Sequence, residues 1–414
     1  MLLQFNFGNY KSFRQEASLD MTAAKITEFS HTVRNISAEK VLPVAAIYGA
    51  NASGKTNVIE AFRFMGLYVL NSFGYGGEPV KGVRHILPRT PFVFDKTGKD
   101  EASFFEVYYI MPEKDGGKTY NYGFCMDDSG ISEEWLNVKA RTAREYKRIF
   151  YRNGTELDLK GIPKESKENI KVSLEKESLI VSLGSKLKIE CLKQVRDWFQ
   201  NVELWNFGNT AEDHFRSTYA SRDFLLNRSV QKDVVKYLSA FDPSIIDFIV
   251  SFRTGQTDQI EDIRIEAVHR VKGTEDTASI PLEEESAGTL KMFALYDSFK
   301  RAMENGGLLL IDELSSKLHP LLVRDFIISF IDPEINKNGA QLVFTTHDTW
   351  HLSNNILRRD EIWFTQKDED GCSELYSLAD FRTEYDSKIR KDENYEKNYL
   401  LGKYGSVPRL VNVK

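Results

Sequence analysis

Eight residues with the sequence GANASGKT, at positions 49–56, have the residue types and spacing of a phosphate-binding loop. They fit the P-loop pattern G-x-x-x-x-G-K-[ST], whose two glycines allow backbone N–H groups to approach phosphate oxygens. Lys55 would reach the β- and γ-phosphates, and the Thr56 hydroxyl would bind Mg²⁺. A glycine turn with a chance lysine is the alternative, but the motif lies between a strand-like apolar run and an apolar helical pattern, as a P-loop requires. The sequence predicts an ATP and Mg²⁺ site with nucleotide contacts from Gly49, Asn51, Ala52, Ser53, Gly54, Lys55, Thr56 and Asn57.

An acidic pair follows a second apolar run, in the sequence GLLLIDEL. Asp312 would bind Mg²⁺ directly or through its waters, and Glu313 would act as the general base that activates water. Two adjacent acids could also be an acidic strand end that faces solvent. The four apolar residues before them, in a chain that already has a P-loop, favour the metal and catalytic roles.

A third apolar run, QLVFTTHD, ends near His347. A lone histidine at a strand end is more often structural than catalytic. This histidine falls on the next predicted strand after Glu313, where a sensor of the γ-phosphate would lie. Because imidazole can hydrogen-bond a phosphate oxygen and a partner group together, His347 is predicted to be catalytic.

The segment EEESAGTLKMFAL places Ser286 and Gly288 at the start of a predicted helix. A hydroxyl and bare backbone N–H groups at the positive end of a helix can bind an anion. An ordinary helix N-cap is the simpler interpretation of the segment alone. The nucleotide role gains support because the segment precedes the acidic strand by about one helix.

Composition restricts the class of protein. The chain has 414 residues, 41% hydrophobic and 28% charged, with a net charge of −6. The acidic balance does not indicate a nucleic-acid binder. Three scattered cysteines fit a reducing cytoplasm and argue against a zinc or disulfide framework. The N-terminus is not predicted to be a signal peptide, and no apolar stretch is long enough to span a membrane.

The pattern of runs predicts an α/β fold with a mixed or parallel core sheet. Residues 1–100 are predicted to form an N-terminal ATPase lobe with the P-loop, and residues 101–156 an antiparallel β part with turns such as EKDGGK and DDSG. Residues 157–250 are mainly helical in character and are predicted to be an insertion. Residues 251–414 are predicted to form a C-terminal ATPase lobe with Asp312, Glu313 and His347.

The order of these motifs resembles the ABC-type ATPases of the SMC, RecF and OLD group. In that resemblance ESAGT corresponds to the ABC signature, IDEL to the Walker B strand, TTHD to the switch histidine, and NYKSF to the opening strand and loop. More narrowly, DELSSKLHP and the tail YLLGKYGSVP resemble RloA-like ATPases of bacterial anti-phage systems such as PARIS. The resemblance covers about residues 1–60 and 283–410, and the middle is similar only in its layout.

The resemblance implies an ABC-type ATPase head in which two copies of the chain hold two ATP molecules between them. The P-loop, Asp312, Glu313 and His347 of each site would come from one copy, and Ser286 and Gly288 from the other. A dimer or a higher homo-oligomer is therefore expected. Two residues depart from the family pattern, because Ser315 stands where the family usually has Asp, and Lys317 is also unexpected there.

The resemblance also bears on the partner. OLD nucleases carry a Toprim domain after the ATPase, whereas the stretch that follows His347 here is too short for that domain. The chain is therefore expected to be the sensor or scaffold of a two-component defence system that controls a separate toxic effector, for which a Toprim nuclease is one candidate.

Two alternatives stay open. A DNA-repair or DNA-tethering ATPase of the RecF or SMC kind would use the basic stretch KARTAREYKRIFYR, residues 139–152, to bind phosphate backbone. A solvated strand pair next to the acidic Glu133 and Glu134 explains that stretch equally well. The second alternative is a degenerate scaffold with little turnover, against which the intact Lys55 and Glu313 argue.

Overall fold

The computed structural model describes residues 1–75, 86–111, 117–209, 220–254, 260–382 and 389–407. Most of the turn predicted at EKDGGK and the last residue of the tail YLLGKYGSVP, Pro408, lie outside these residues. Eighteen strands are described in chain order: Leu2–Gly8 (β1), Ala17–Asp20 (β2), Arg34–Ile36 (β3), Glu39–Val41 (β4), Val44–Gly49 (β5), Ser103–Ile110 (β6), Thr119–Asp127 (β7), Gly130–Lys139 (β8), Lys147–Asn153 (β9), Glu156–Asp158 (β10), Glu203–Asn206 (β11), Ile245–Thr254 (β12), Ile260–Arg270 (β13), Thr277–Pro281 (β14), Leu308–Asp312 (β15), Gln341–Thr345 (β16), Ile362–Lys367 (β17) and Ser373–Ser377 (β18).

The described helices alternate with the strands of the core, as expected for an α/β protein. In chain order they are Lys55–Asn71 (α1), Lys164–Ser173 (α2), Ile180–Lys186 (α3), Glu190–Gln200 (α4), Arg222–Leu226 (α5), Arg228–Leu238 (α6), Ala287–Asn305 (α7), Pro320–Ile331 (α8) and Tyr395–Leu400 (α9). Among the residues that the structure describes, no helix is long and apolar enough to cross a membrane.

The core of the molecule is a six-stranded sheet with the order β11-β15-β16-β5-β17-β18. All neighbouring pairs are parallel except β17 with β18. Its central strands are continuous apolar runs because helices or a second layer cover both faces. In β5, Ala45 and Ile47 pack into one hydrophobic core, whereas Val44, Ala46 and Tyr48 pack into the other. The predicted fold class is confirmed.

A second sheet of seven antiparallel strands has the order β10-β9-β8-β7-β6-β1-β2. It contains the strands expected between residues 101 and 156, and it recruits β1 and β2 from the N-terminus. One face of this sheet packs on α1 through aromatic side chains, including Phe5 against Phe62 and Phe105 against Phe64. The N-terminal strand and the P-loop helix therefore share a single core.

The segment expected to be helical contains α2 to α6 but also the four-residue strand β11, which pairs in parallel with β15 at the edge of the core sheet. Its sequence ELWN is too short to show a strand periodicity. A three-stranded antiparallel sheet, β12-β13-β14, begins at Ile245 and leads to α7. The domain boundaries at 100, 156 and 250 stay predictions.

Gln341 joins the two large sheets at the first residue of β16. Its fully buried side chain accepts a hydrogen bond from the Leu2 amide (2.6 Å) and donates to the carbonyls of Leu2 and Leu42 (3.0 Å each). Three backbone groups at this junction are therefore paired by one amide side chain.

We expect Gln341→Ala to lower the free energy of unfolding by about 2–5 kcal/mol, because each buried polar group left unpaired costs about 1–3 kcal/mol. Denaturant unfolding followed by circular dichroism measures the loss. Gln200→Ala is the matched control, because Gln200 is exposed at the surface of α4, where it accepts a hydrogen bond from Arg196 (3.3 Å). Equal stability of the two variants would show that Gln341 does not join the sheets.

Candidate functional site

The predicted P-loop connects β5 to α1 and is packed too closely for larger residues at its two glycines. A Cβ on Gly49 would lie 2.5 Å from Ser53 Oγ and 2.6 Å from the Thr365 carbonyl. Gly54 has φ 114°, a left-handed conformation that favours glycine, and it forms the N-cap of α1. Asn51 and Ala52 at the tip of the loop are exposed. The loop therefore presents backbone N–H groups and the N-terminal end of α1 on the same side as Lys55.

Residues that the sequence analysis did not assign brace this loop from behind. The hydroxyls of Ser53 and Thr365 lie 2.5 Å apart, and the Ala50 amide donates to the carbonyl of Ser406 (2.9 Å). Ser406 belongs to the tail that carries part of the family resemblance. The contact gives this part of the tail a structural role, which could not be inferred from spacing because its two partners lie near opposite ends of the sequence.

The opening NYKSF loop braces the other side. Asn57, in the first turn of α1, donates from Nδ2 to the Ser12 hydroxyl (2.7 Å). The Ser12 hydroxyl is also 2.8 Å from that of Ser373 in β18. Asn57 therefore fixes the start of the helix, a structural role in addition to the nucleotide contact that was predicted for it.

Lys55 folds back over the P-loop. Its amine donates to the carbonyls of Gly49 (2.8 Å) and Ala50 (2.9 Å) and lies 3.4 Å from His347 Nδ1. Burial lowers the pKa of Lys55 to about 8, although Asp312 and Glu313 act in the opposite direction. The amine is thus a partly desolvated cation, which gains from an anionic ligand.

Asp312 lies at the carboxyl end of β15 and is 2% exposed. Its Oδ1 accepts from Thr345 Oγ1 at 2.5 Å and from Thr56 Oγ1 at 3.2 Å. Burial raises the pKa of Asp312, and these two hydrogen bonds oppose the shift. Thr345, which the sequence analysis did not assign, also accepts the backbone N–H of Glu313 (2.9 Å) and so holds both acids. Its only sequence signal was its place at the end of an apolar strand.

His347 lies between Lys55 and Glu313. Its Nε2 is 3.8 Å from Glu313 Oε1, and the Lys55 amine donates toward Nδ1. Burial lowers the pKa of His347, and the nearby positive charge of Lys55 lowers it further. The ring is therefore neutral at pH 7, and the donor at Nδ1 leaves the proton on Nε2, which points toward the carboxylate.

Ser286 and Gly288 occupy the start of α7. Ser286 is its N-cap, accepting the Thr289 N–H at 3.1 Å, which is the N-cap geometry of the simpler interpretation. Within the described residues, the hydrogen bonds of Ser286 stay inside the first turn of α7, and none reaches the P-loop. A Cβ on Gly288 would lie 3.3 Å from the Lys317 carbonyl. Ser286 and Ala287 are accessible at the helix end.

The loop after Glu313, which carries the two departures from the family pattern, is held from inside. The Ser315 hydroxyl lies 2.8 Å from that of Thr346, and Lys317 has a left-handed φ of 60°. Lys291, on the buried face of α7, donates to the carbonyls of Leu314 and Ser316. The sequence did not predict this buried role of Lys291, because a lysine in a helix is usually expected to face solvent.

The stretch 139–152, which the DNA-binding alternative would use as a basic hairpin, is exposed over most of its length but buried at its end. Arg152 is 4% exposed and donates to the carbonyl of Ser178 (2.8 Å), and Phe150 is fully buried. Arg141, Arg144, Lys147 and Arg148 are exposed, so the DNA-binding alternative stays a prediction for these residues. The alternating strand β9 turns every second residue inward, so the interleaved aromatic and basic residues divide between its two faces.

The lowered pKa of Lys55 predicts that the binding of a triphosphate takes up protons from solution. Because phosphate favours the charged amine, binding raises the pKa of Lys55 from about 8, so affinity falls as pH rises above 8. We expect Mg-ATP binding to take up about 0.7 proton at pH 8.5 and about 0.1 at pH 7, measured calorimetrically in buffers of different ionisation enthalpy. Lys55→Arg, which stays charged, should remove this difference. The same proton uptake at both pH values in the unchanged chain would contradict the assignment.

A family model described as "AAA domain, putative AbiEii toxin, Type IV TA system" matches residues 44–350. The match includes the P-loop, the acidic pair and His347, and spans well over half of the 414 residues. None of the curated proteins matches the chain. The chain therefore belongs to this AAA domain family and is a P-loop ATPase of the AAA/ABC kind.

Proposed function

We propose that this chain binds and hydrolyses Mg-ATP in sites completed by a second copy, and that it is the sensor or scaffold subunit of a bacterial anti-phage system with a separate effector. The observation that carries the ATPase part is the convergence of five side chains at the carboxyl edge of the core sheet: Lys55, Thr56, Asp312, Glu313 and His347.

ATP would bind with its phosphates against the backbone N–H groups of the P-loop, residues 49–54, and the N-terminal end of α1. Lys55 would exchange its loop carbonyls for phosphate oxygens. Charge supports this step, because a partly buried amine is better satisfied by an anion than by neutral carbonyls.

The residues present also fit Mg²⁺. Thr56 Oγ1 and Asp312 Oδ1 come together at 3.2 Å, and hydroxyl and carboxylate oxygens are ligands that Mg²⁺ prefers. Thr56 and Asp312 would hold the ion. The ion would supply positive charge that offsets the charge of the phosphates.

In the proposed hydrolysis, Glu313 accepts a proton from the attacking water. His347 donates from Nε2 to a γ-phosphate oxygen or to Glu313, and Lys55 at Nδ1 keeps the ring in that tautomer. The exposure of both groups, 35% for the Glu313 side chain and 43% for that of His347, leaves room for a ligand between them.

A second copy is proposed because the start of α7 is accessible while its hydroxyl and amides remain within its own first turn. The positive end of a helix with small residues can receive a phosphate of another subunit. Ser286 and Gly288 would then act on the nucleotide held by the partner subunit.

The mass of Glu313→Gln in solution, measured by light scattering, tests this mechanism. We expect the variant to lose about 10²–10⁴-fold in turnover, because it lacks the general base, and to double from 47.6 kDa when Mg-ATP is added. Adding Ser286→Arg should abolish the doubling, whereas Ser239→Arg, at an exposed serine near the end of α6, should not. A variant that keeps the mass of a single chain in Mg-ATP would contradict the shared site.

The defence role is supported by the resemblance of DELSSKLHP and of the tail to RloA-like ATPases, and by the reference to a toxin–antitoxin system in the family description.

Affinity purification of the chain from its native cells is expected to recover one further protein in fixed ratio. Recovery of the chain alone, from cells in which the tagged chain remains functional, would contradict the two-component proposal and leave the ATPase proposal intact.

A further inference from the structure

Glu285, the residue before Ser286, is buried against a histidine of the three-stranded sheet. Glu285 Oε1 lies 2.6 Å from Nε2 of His269 in β13, and the Glu285 side chain is only 5% exposed. Its neighbours Glu283 and Glu284 are exposed. Of these three consecutive glutamates, Glu285 is next to the start of α7, and its carboxylate is bound by His269.

The imidazole of His269 is itself fixed on its other side. Its Nδ1 lies 3.0 Å from the Ser244 hydroxyl, in the turn that precedes β12. Since a carboxylate can only accept, Nε2 donates to Glu285. The Ser244 hydroxyl beside Nδ1 donates its own proton to Asp242 Oδ1 (2.5 Å), which holds the serine in place. The ring thus bridges the base of the three-stranded sheet and the start of α7.

The backbone that leads into α7 is held by β14 and the buried Leu282, and it is extended at Glu285 and Ser286. The preceding strand β14 ends at Pro281, paired with Glu266, and the next residue, Leu282, is buried at 3% exposure. After the short 3₁₀ turn Leu282–Glu284, the backbone extends through Glu285 to Ser286, with ψ 163° and 146°. The His269–Glu285 pair is the side-chain contact next to Ser286 on this extended segment.

We propose that His269 is a positioning residue that aligns Ser286 for the nucleotide of the partner subunit and keeps the Glu285 carboxylate away from its phosphates. An unheld carboxylate one residue before Ser286 would repel an incoming triphosphate, because like charges a few ångströms apart interact strongly at a partly desolvated site. The inference rests on the proposed shared site, and it extends that site to a residue on β13, outside the elements that carry the nucleotide motifs.

The test uses the full chain in the Glu313→Gln background, with light scattering at increasing Mg-ATP. We expect His269→Ala to raise the Mg-ATP concentration needed for doubling by about tenfold or more, and His269→Gln, which retains a donor, to recover part of it. Glu284→Gln, at the exposed neighbouring acid, is the control and should leave the midpoint unchanged. Fluorescent Mg-ATP binding to the Ser286→Arg chain, which isolates the P-loop, should not respond to His269→Ala.

The outcomes separate the two proposals. If Glu313→Gln doubles but His269→Ala doubles at the same Mg-ATP concentration, the positioning role is wrong and the shared site stands. If Glu313→Gln does not double, the shared site fails and the role of His269 falls with it. His269→Leu replaces His269→Ala if the latter unfolds, because leucine fills part of the volume of the imidazole but cannot donate to Glu285. Since this variant leaves the Glu285 carboxylate unheld, an unchanged midpoint in it would also overturn the positioning role.

Discussion

The buried carboxylate of Asp312 is the interaction on which the rest of the candidate site depends. It is at the end of β15, yet its hydrogen bonds come from the end of β16 and from the first turn of α1. The same Thr345 hydroxyl also accepts a hydrogen bond from the backbone N–H of Glu313 and so fixes that residue relative to Asp312. Burial raises the pKa of Asp312, whereas the two hydroxyl donors act in the opposite direction and favour the charged form that the proposed metal site requires.

The parallel order of the core sheet explains why these groups meet. The strands β15, β16 and β5 are neighbours and point the same way, so their carboxyl ends lie at one edge. Each strand contributes one part: the acids, the histidine and the phosphate loop. The antiparallel sheet supplies none of these groups, but it fixes α1 and, through Gln341, the other end of β16.

The sequence predicted the parts of the site whose chemistry depends on short spacing. The P-loop, Asp312, Glu313 and His347 each follow an apolar run, and a parallel sheet brings such ends together. Thr345, Ser406 and Lys291 were missed because their partners are distant in sequence and their residue types are common. Arg152 was assigned to a basic surface because the composition of a stretch does not tell which face of a strand each side chain occupies. The strand β11 was missed because its pairing with β15, rather than its own four residues, defines it.

The hydrogen bond between Ala50 and Ser406 has a consequence for the order in which the chain is made. A ribosome synthesises the P-loop long before Ser406, whose carbonyl braces it. Both neighbours of β5 in the core sheet, β16 and β17, are also synthesised long after it. Contacts of such long sequence separation form late. We therefore expect nascent or terminated chains that stop before Ser406 to lack a finished phosphate loop, so that nucleotide capture needs the chain to extend past this residue.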